Sequence, residues 1–160
     1  MDINASNSMK SFLALSALLT GFSEFQLQGT GQAQLYFDTV LSVVGEEILA
    51  ELFQTFDRIN TNSDASNLES QLRSEILGSE KLGAIARNII KLWYVSTWYQ
   101  LPAAWRDEFG TKANDRTFIP SPAAYPEGLL WPAIGVNPPG AKGLGYGVWS
   151  EPPTVSLTQS

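Results

Sequence analysis

The distribution of proline divides this 160-residue chain into two parts of different character. All nine prolines lie at or beyond Pro102, so the residues before it contain no proline. Proline interrupts helices because it lacks the backbone N–H and its ring clashes with the preceding turn. The sequence therefore predicts a helical core over residues 9–101 and an irregular arm over residues 102–153. Together with a tail over residues 154–160 they form one domain, as the length suggests.

Hydrophobic residues recur at helical spacing in the first part of the chain. Leu13, Ala17 and Leu18 define one face of a first helix, and Thr20-Gly21 predicts its end. Over residues 35–56 the apolar positions keep roughly a 3.6-residue period, which predicts a long second helix.

Two more helices are predicted before Pro102. Ser66 and Glu69 have the spacing of a capping box for a third helix that ends at Gly78. Ser79 is the expected N-cap of a fourth helix, which continues until Pro102. Its expected inward residues are Leu82, Ile85, Ile89, Trp93 and Trp98.

The predicted fold class is mainly α, a small helical domain of about four to five helices followed by the long arm. Trp105 and Phe109 predict one short turn of helix within the arm. No alternation of polar and apolar residues lasts long enough to predict a sheet, and no repeat of ~20 to 50 residues is present.

Composition excludes several functional classes. The chain contains neither histidine nor cysteine, which rules out the usual zinc sites, Ser/His/Asp and Cys/His catalysis, and disulfides. The formal net charge is -6 and no cluster of Lys and Arg is present, so nucleic acid is not an expected partner. The apolar stretch Phe12–Phe22 is shorter than the ~20 residues of a membrane span, and we interpret it as a core helix rather than a leader or a span.

The arm is rich in proline and glycine, yet it also carries most of the large aromatic side chains. All five tryptophans and four of the five tyrosines lie from Trp93 to Trp149. Each such ring buries ~150 to 250 Å², enough at ~25 cal/mol per Å² to oppose the entropy of ordering the residues around it. We therefore expect the arm to be ordered against a surface, which is either the helical core, a second protein or both.

Other motifs favour packing over catalysis. The run Gly140–Gly147 resembles a phosphate loop, but it follows two prolines instead of a strand. Its glycines, Gly140, Gly143, Gly145 and Gly147, are expected to allow close backbone approach.

Two pairs of adjacent carboxylates, Glu46-Glu47 and Asp107-Glu108, are also present. The two side chains of each pair would point ~100° apart on a helix, which favours solvated surface charge over catalysis.

The segments KLWYVSTWYQLP (Lys91–Pro102) and SPAAYPEGLLWPAIGVNPPGAKGLGYGVWSEPP (Ser121–Pro153) resemble the small subunit of bacterial membrane-bound, flavin-dependent sugar and polyol dehydrogenases. The resemblance covers residues 90–153, and FLALSALLTGF is similar to the first mature helix of these subunits. It implies a non-catalytic subunit without a cofactor of its own, which binds a flavoprotein of the glucose-methanol-choline oxidoreductase type and supports its folding and export. FAD is then expected in that partner, and a multihaem cytochrome c is a further expected subunit.

The resemblance also implies a periplasmic complex associated with the inner membrane. Members of the family typically carry a twin-arginine leader, which this sequence does not begin with, so a cytoplasmic location is the alternative. Two other functions stay open, namely a stand-alone oxidoreductase of the sorbitol dehydrogenase type and a carbohydrate-binding module. The predicted partner-binding residues are Trp98, Tyr99, Trp105, Arg106, Tyr125, Trp131, Lys142, Tyr146 and Trp149, each either an anchor of the arm or a contact with the partner.

Overall fold

The computed structural model describes residues 2–110 and 112–135, and the predicted mainly α fold class is confirmed over these residues. Eight α-helices are present in this part of the chain, more than the four or five expected. They are α1 (Asp2–Thr20), α2 (Glu24–Gly29), α3 (Ala33–Val44), α4 (Glu46–Asn62), α5 (Ala65–Gln71), α6 (Glu80–Val95), α7 (Ala103–Phe109) and α8 (Leu130–Ile134). A π-helical segment, Leu72–Leu77, continues α5, and a 3-10 helix spans Pro122–Glu127.

The first helix ends where the sequence predicts, but its buried face differs from the expected one. Helix α1 stops at Thr20, and Gly21 follows with a φ of 84°. Phe12 and Leu15 are completely buried, whereas Leu18, expected to face inward, is 44% exposed. The stretch Phe12–Phe22 is thus part of the core, and among the described residues no helix is long and apolar enough to cross a bilayer.

The predicted long second helix is wrong, because Gly45 divides it into α3 and α4. Gly45 has a φ of 90° and a ψ of 166°, a conformation that ends one helix and begins the next. The hydrophobic period continues across this break, which is why the sequence pattern did not reveal it. The polar connection before α3 also forms a short helix, α2, with a capping box between Ser23 and Gln26.

The third and fourth predicted helices begin and end differently from the expectation in two places. Asp64, rather than Ser66, caps α5 by accepting the backbone N–H of Asn67. Gly78 and Ser79 take the predicted roles, since Gly78 ends the π-helical segment and Ser79 caps α6 through the N–H of Leu82. Helix α6 ends at Val95 instead of Pro102.

The core is a cluster of apolar side chains from α1, α3, α4 and α6, with aromatic rings at its centre. Trp93 of α6 stacks against Phe12 of α1 at 6.1 Å and meets Tyr36 of α3 edge to face at 4.9 Å. Such ring pairs add ~0.5 to 1.5 kcal/mol each beyond the area they bury. Helices α1 and α3 are thereby fixed against the C-terminal half of α6, from which the arm departs.

Replacing Gly45 by alanine should destabilise the protein. An alanine at a φ of 90° is strained, and its Cβ would lie 3.3 Å from the Lys112 side chain, so we expect a loss of ~1 to 2 kcal/mol in the free energy of unfolding. The measurement is urea unfolding followed by circular dichroism. Gly29→Ala is the control, because nothing lies within 4 Å of the added Cβ, and its effect should be neutral or slightly stabilising. Equal effects of the two changes would contradict this role of Gly45.

Candidate partner-binding surface

The path of the arm is set by Ser96, the residue that follows α6. Ser96 has a φ of 57° and a ψ of 29°, which makes it the one residue other than glycine with positive φ in the described part of the chain. Its completely buried hydroxyl donates to the carbonyl of Ala124 at 2.7 Å and accepts from the Tyr36 hydroxyl at 3.1 Å. Burial raises the pKa of Tyr36, the Ser96 hydrogen bond opposes this change, and the Glu127 carboxylate adds to it. A hydrogen-bonded chain therefore joins α3, the end of α6 and the arm.

Trp98 lies just beyond this turn and is completely buried, so it anchors the chain instead of presenting a ring to a partner. It does not belong to α6, contrary to the expectation. Its backbone forms an antiparallel bridge with Phe118, with N–H to carbonyl distances of 2.9 Å in both directions. This bridge ties residues 98–100 to residues 115–118 without forming a sheet.

The buried carboxylate of Asp115 holds the same region together. Asp115 has a fully buried side chain, and it accepts hydrogen bonds from the indole N–H of Trp98 at 2.9 Å and the backbone N–H of Leu101 at 3.2 Å. The Nε of Arg106 lies 3.1 Å from its other oxygen. Arg106 was predicted to be either an anchor of the arm or a contact with the partner, and its guanidinium pairs with this carboxylate within the chain. A buried carboxylate with three such partners fixes both segments relative to α7.

Trp105 is also an internal anchor, since only 5% of it is exposed. Its indole N–H donates to the carbonyl of Lys81 at 2.9 Å, and its ring contacts Phe109 at 5.1 Å. The predicted short helix around Trp105 and Phe109 is confirmed as α7. This helix is attached to the beginning of α6 by the tryptophan.

Tyr99 is placed differently from its two tryptophan neighbours, because 39% of it is exposed. Its carbonyl accepts a hydrogen bond from the Asn88 side chain at 2.7 Å, and the Lys91 ammonium lies 4.9 Å from the centre of its ring. Tyr99 therefore presents a ring with an adjacent cation at the surface, beside α6.

Tyr125 and Trp131 form a second aromatic group, in which Tyr125 is exposed and Trp131 is half-buried. Their rings meet edge to face at 5.5 Å, and the Trp131 indole N–H donates to the Tyr125 carbonyl at 3.1 Å. Tyr125 is 40% exposed, and Ile134, at the end of α8, is 58% exposed. Every residue of α8 is apolar, and none of them is buried. A helix of this composition has hydrophobic surface that its own chain, as far as the structure describes it, leaves in contact with water.

Both exposed groups border one stripe of α6. At ~100° per residue, Asn88 lies ~60° to one side of Lys91 and Tyr94 lies ~60° to the other. Asn88 bonds to Tyr99, whereas Tyr94 packs so closely on Gly128 that a Cβ there would lie 2.6 Å from the Tyr94 carbonyl oxygen. The exposed stripe around Lys91 thus runs between Tyr99 and the segment that leads into α8. We call the combined area of Tyr99, Lys91, Tyr125, Trp131 and Ile134 the α6–α8 surface.

The other predicted partner residues cannot be placed on this surface. Lys142, Tyr146 and Trp149 lie outside the described residues, as do Gly140, Gly143, Gly145 and Gly147.

A surface cavity of about 400 Å³ lies elsewhere, where α3 meets α4. Glu46 and Glu47 at the start of α4 line it, together with Phe109 and Lys112. The two carboxylates are exposed, as expected for solvated charge. No group of three or more acidic, histidine or cysteine side chains that could hold a metal ion occurs within residues 2–110 and 112–135.

Comparison with protein families, with curated proteins and with solved structures finds no significant similarity to this chain.

Sequence reasoning missed several residues of this region and also Phe25 on α2. Asp115 had no recognisable signal, because an isolated aspartate after a polar turn is typical of an exposed loop. Phe25 is 84% exposed and could have been noticed as an aromatic residue between Glu24 and Gln26. Ile119 and Ile134 are about half exposed, but apolar residues of an arm give no indication in the sequence of which side faces water.

Removing the Asp115 carboxylate should loosen the attachment of the arm. For Asp115→Ala we expect a loss of ~2 to 4 kcal/mol in the free energy of unfolding, because the Trp98 and Leu101 N–H groups lose a buried acceptor. Urea unfolding measures the loss, and hydrogen exchange should show faster exchange at Leu101 and Phe118. The control is Asp107→Ala, an exposed carboxylate on α7, which should change stability by less than ~0.5 kcal/mol. A stability of Asp115→Ala equal to that of the control would rule out this role.

Proposed function

We propose that this chain is the non-catalytic small subunit of an FAD-dependent sugar or polyol dehydrogenase, and that it binds the flavoprotein subunit through the α6–α8 surface. In this proposal the chain holds no cofactor itself. The flavoprotein, of the glucose-methanol-choline oxidoreductase type, carries FAD and oxidises the sugar. The small subunit supports its folding and export.

The observation that carries the proposal is the exposure of α8. Five consecutive apolar residues form this helix without one of them being buried, and an adjacent tyrosine is 40% exposed. Protein interfaces are enriched in Tyr and Trp and depleted of charged residues at their centre. From Gly128 to Ala141 the sequence contains no charged residue, which suits the centre of such an interface.

The internal anchors give this surface the rigidity that a binding site needs. Trp98 and Trp105 are buried and hydrogen-bonded, and Ser96 ties Ala124 to the core. An interface held by anchors of this kind loses less conformational entropy on binding than a mobile segment would. The proposal therefore divides the predicted residues into anchors, with Trp98, Trp105 and Arg106, and partner contacts, with Tyr99, Tyr125 and Trp131.

The identity of the partner rests on the resemblance of residues 90–153 to small subunits of this dehydrogenase family. The chain's own composition supports a non-catalytic role, because it lacks His and Cys and has no nucleotide-binding loop. A periplasmic complex associated with the inner membrane through a multihaem cytochrome c is part of the same proposal. A cytoplasmic complex is its alternative.

Purification of the tagged chain from its native cells tests the proposal. We expect a second chain to copurify with flavin absorbance and with dye-linked oxidation of a sugar or polyol. The chain produced alone should show neither property and should not bind free sugars in calorimetry. Oxidation by the lone chain would identify it as an enzyme, and sugar binding by the lone chain would identify a carbohydrate-binding module. Either result would overturn the proposal.

Substitution of Ile134 tests the surface. Ile134→Asp should leave the fold intact, because the side chain is 58% exposed, and should weaken binding of the flavoprotein by ~1 to 2 kcal/mol by placing a charge in an apolar interface. The measurement is the dissociation constant of the purified subunits. Gln54→Asp on α4, which adds the same charge at an exposed position, is the matched control and should bind as the unmodified chain does. Unchanged binding by Ile134→Asp would exclude α8 from the interface.

A further inference from the structure

The positive charges of this acidic chain are distributed unevenly. From Lys81 to Arg106 the sequence contains four cations and no carboxylate, although the whole chain has a formal net charge of -6. Two of these four cations are paired with a carboxylate of the same chain, since Lys81 pairs with Glu51 at 2.7 Å and Arg106 pairs with Asp115. The remaining two, Arg87 and Lys91, lie one turn apart on the exposed stripe of α6.

None of the cations around the Trp98–Phe118 bridge that are exposed to solvent has a carboxylate partner among the described residues. The Lys91 ammonium lies over the Tyr99 ring at 4.9 Å, and the Arg116 guanidinium lies over the Phe118 ring at 5.0 Å. Arg87 donates to the carbonyl of Leu77. By contrast, Arg58 on α4 and Arg73 in the π-helical segment each pair with a glutamate.

The two cation–ring pairs are close to one another through the backbone. Trp98 pairs with Phe118, and the backbone N–H of Gln100 donates to the Thr117 hydroxyl at 2.9 Å. Tyr99 and Phe118 therefore belong to neighbouring segments, and paired segments of this kind lie ~5 Å apart. Ile119, which follows Phe118, is 48% exposed and adds apolar surface.

The contacts with aromatic rings position Lys91 and Arg116 without neutralising their charge. A ring attracts a cation by ~0.5 to 1 kcal/mol at an exposed site and leaves its net charge intact. An ammonium or guanidinium held in this way loses less side-chain entropy when a carboxylate binds to it. The surface thus combines fixed positive charge with exposed Tyr99 and Ile119.

We propose that the surface formed by Arg87, Lys91, Tyr99, Arg116 and Ile119 recognises an acidic segment of the partner protein, with carboxylates at the cations and an apolar residue across the ring of Tyr99. The inference rests on the proposed function for the identity of the partner as the flavoprotein. Because this surface borders the apolar α8 along the exposed stripe of α6, it forms the charged margin of the same interface. Charges at an interface margin raise the rate of association and select the partner, while the apolar centre slows dissociation.

An acidic protein is a better occupant than other anionic surfaces. The net charge of -6 repels nucleic acid and anionic membranes at a distance, since both present extended negative charge to the whole molecule. A folded partner with a local acidic segment needs opposite charge only where that segment touches this surface. The proposal therefore commits to a carboxylate-rich protein segment.

Charge reversal tests the proposal with the flavoprotein recovered from the native complex. The double variant Lys91→Glu/Arg116→Glu should bind it ~10- to 100-fold more weakly at low salt, chiefly through slower association. Raising the salt concentration from ~50 to ~500 mM should weaken binding of the unmodified chain and reduce the difference in affinity between it and the double variant. The matched control Lys10→Glu/Arg73→Glu changes the net charge by the same amount at exposed positions on α1 and in the π-helical segment. Equal weakening by both variants would show an effect of net charge alone and would overturn the surface. Thermal unfolding of each variant verifies that the fold is retained.

A second measurement does not depend on the flavoprotein. The isotopically labelled chain is titrated with the peptide Glu-Leu-Glu-Ser-Glu and with its match Gln-Leu-Gln-Ser-Gln, and amide chemical shifts are recorded. We expect the amides of Tyr99, Gln100 and Phe118 to shift with the glutamate peptide only, and not in the charge-reversed variant. Identical responses to both peptides, or tighter binding to phosphatidylglycerol vesicles than to the glutamate peptide, would overturn the proposal.

The two proposals fail separately. If no flavoprotein copurifies, the proposed function is wrong, and the peptide titration still decides whether this surface binds carboxylates. If the flavoprotein copurifies but charge reversal has no more effect than the control, the proposed function stands and the acidic segment is rejected.

Discussion

The left-handed conformation of Ser96 is the constraint on which the rest of the arm depends. It ends α6 at Val95 and turns the backbone, so that Trp98 enters the interior instead of extending the helix towards Pro102. A non-glycine residue in this conformation costs on the order of 1 kcal/mol, and it persists only where its surroundings determine it. The hydroxyl of Ser96 holds the residue in this conformation, because it is hydrogen-bonded to Tyr36 of the core and to Ala124 of the arm.

The buried carboxylate of Asp115 completes the arrangement that Ser96 begins. Removal of a carboxylate from water is costly unless donors replace the lost hydration. Here the Trp98 indole and the Leu101 backbone donate hydrogen bonds to the carboxylate, and the Arg106 guanidinium supplies the opposite charge. The consequence is that residues 98–101 and 115–118, which lie outside the helices, are joined to one another by hydrogen bonds of the side chain and of the backbone. The described part of the chain after α6 therefore contains α7, the 3-10 helix and α8 between irregular segments, and it places Tyr99 and Tyr125 at the surface.

The helical class and the burial of aromatic rings could be predicted from the sequence, because both follow from patterns that local physics determines. The absence of proline before Pro102, the cap at Ser79 and the stop at Gly78 each act within a few residues. The break at Gly45 could not be predicted, since the hydrophobic period continues across it while the backbone does not. Which residues are internal anchors (Trp98, Trp105 and Arg106) and which are exposed (Tyr99 and Tyr125) depends on contacts between residues far apart in sequence. The hydrophobic pattern could not reveal this difference, because apolar residues in the arm follow no constant period.

In the proposed complex, the two kinds of surface beside α6 suit different steps of association. The apolar α8 offers burial, which is short-ranged and not directional, and it would stabilise a wrong contact almost as well as the right one. The cations at Lys91 and Arg116 act over a Debye length of ~10 Å and distinguish partners by charge before contact is made. They also disfavour pairing of this surface with itself in a second copy, because like charges would then face one another. In the proposed complex, the unneutralised cations next to the exposed hydrophobic helix would direct that helix to a partner of opposite local charge.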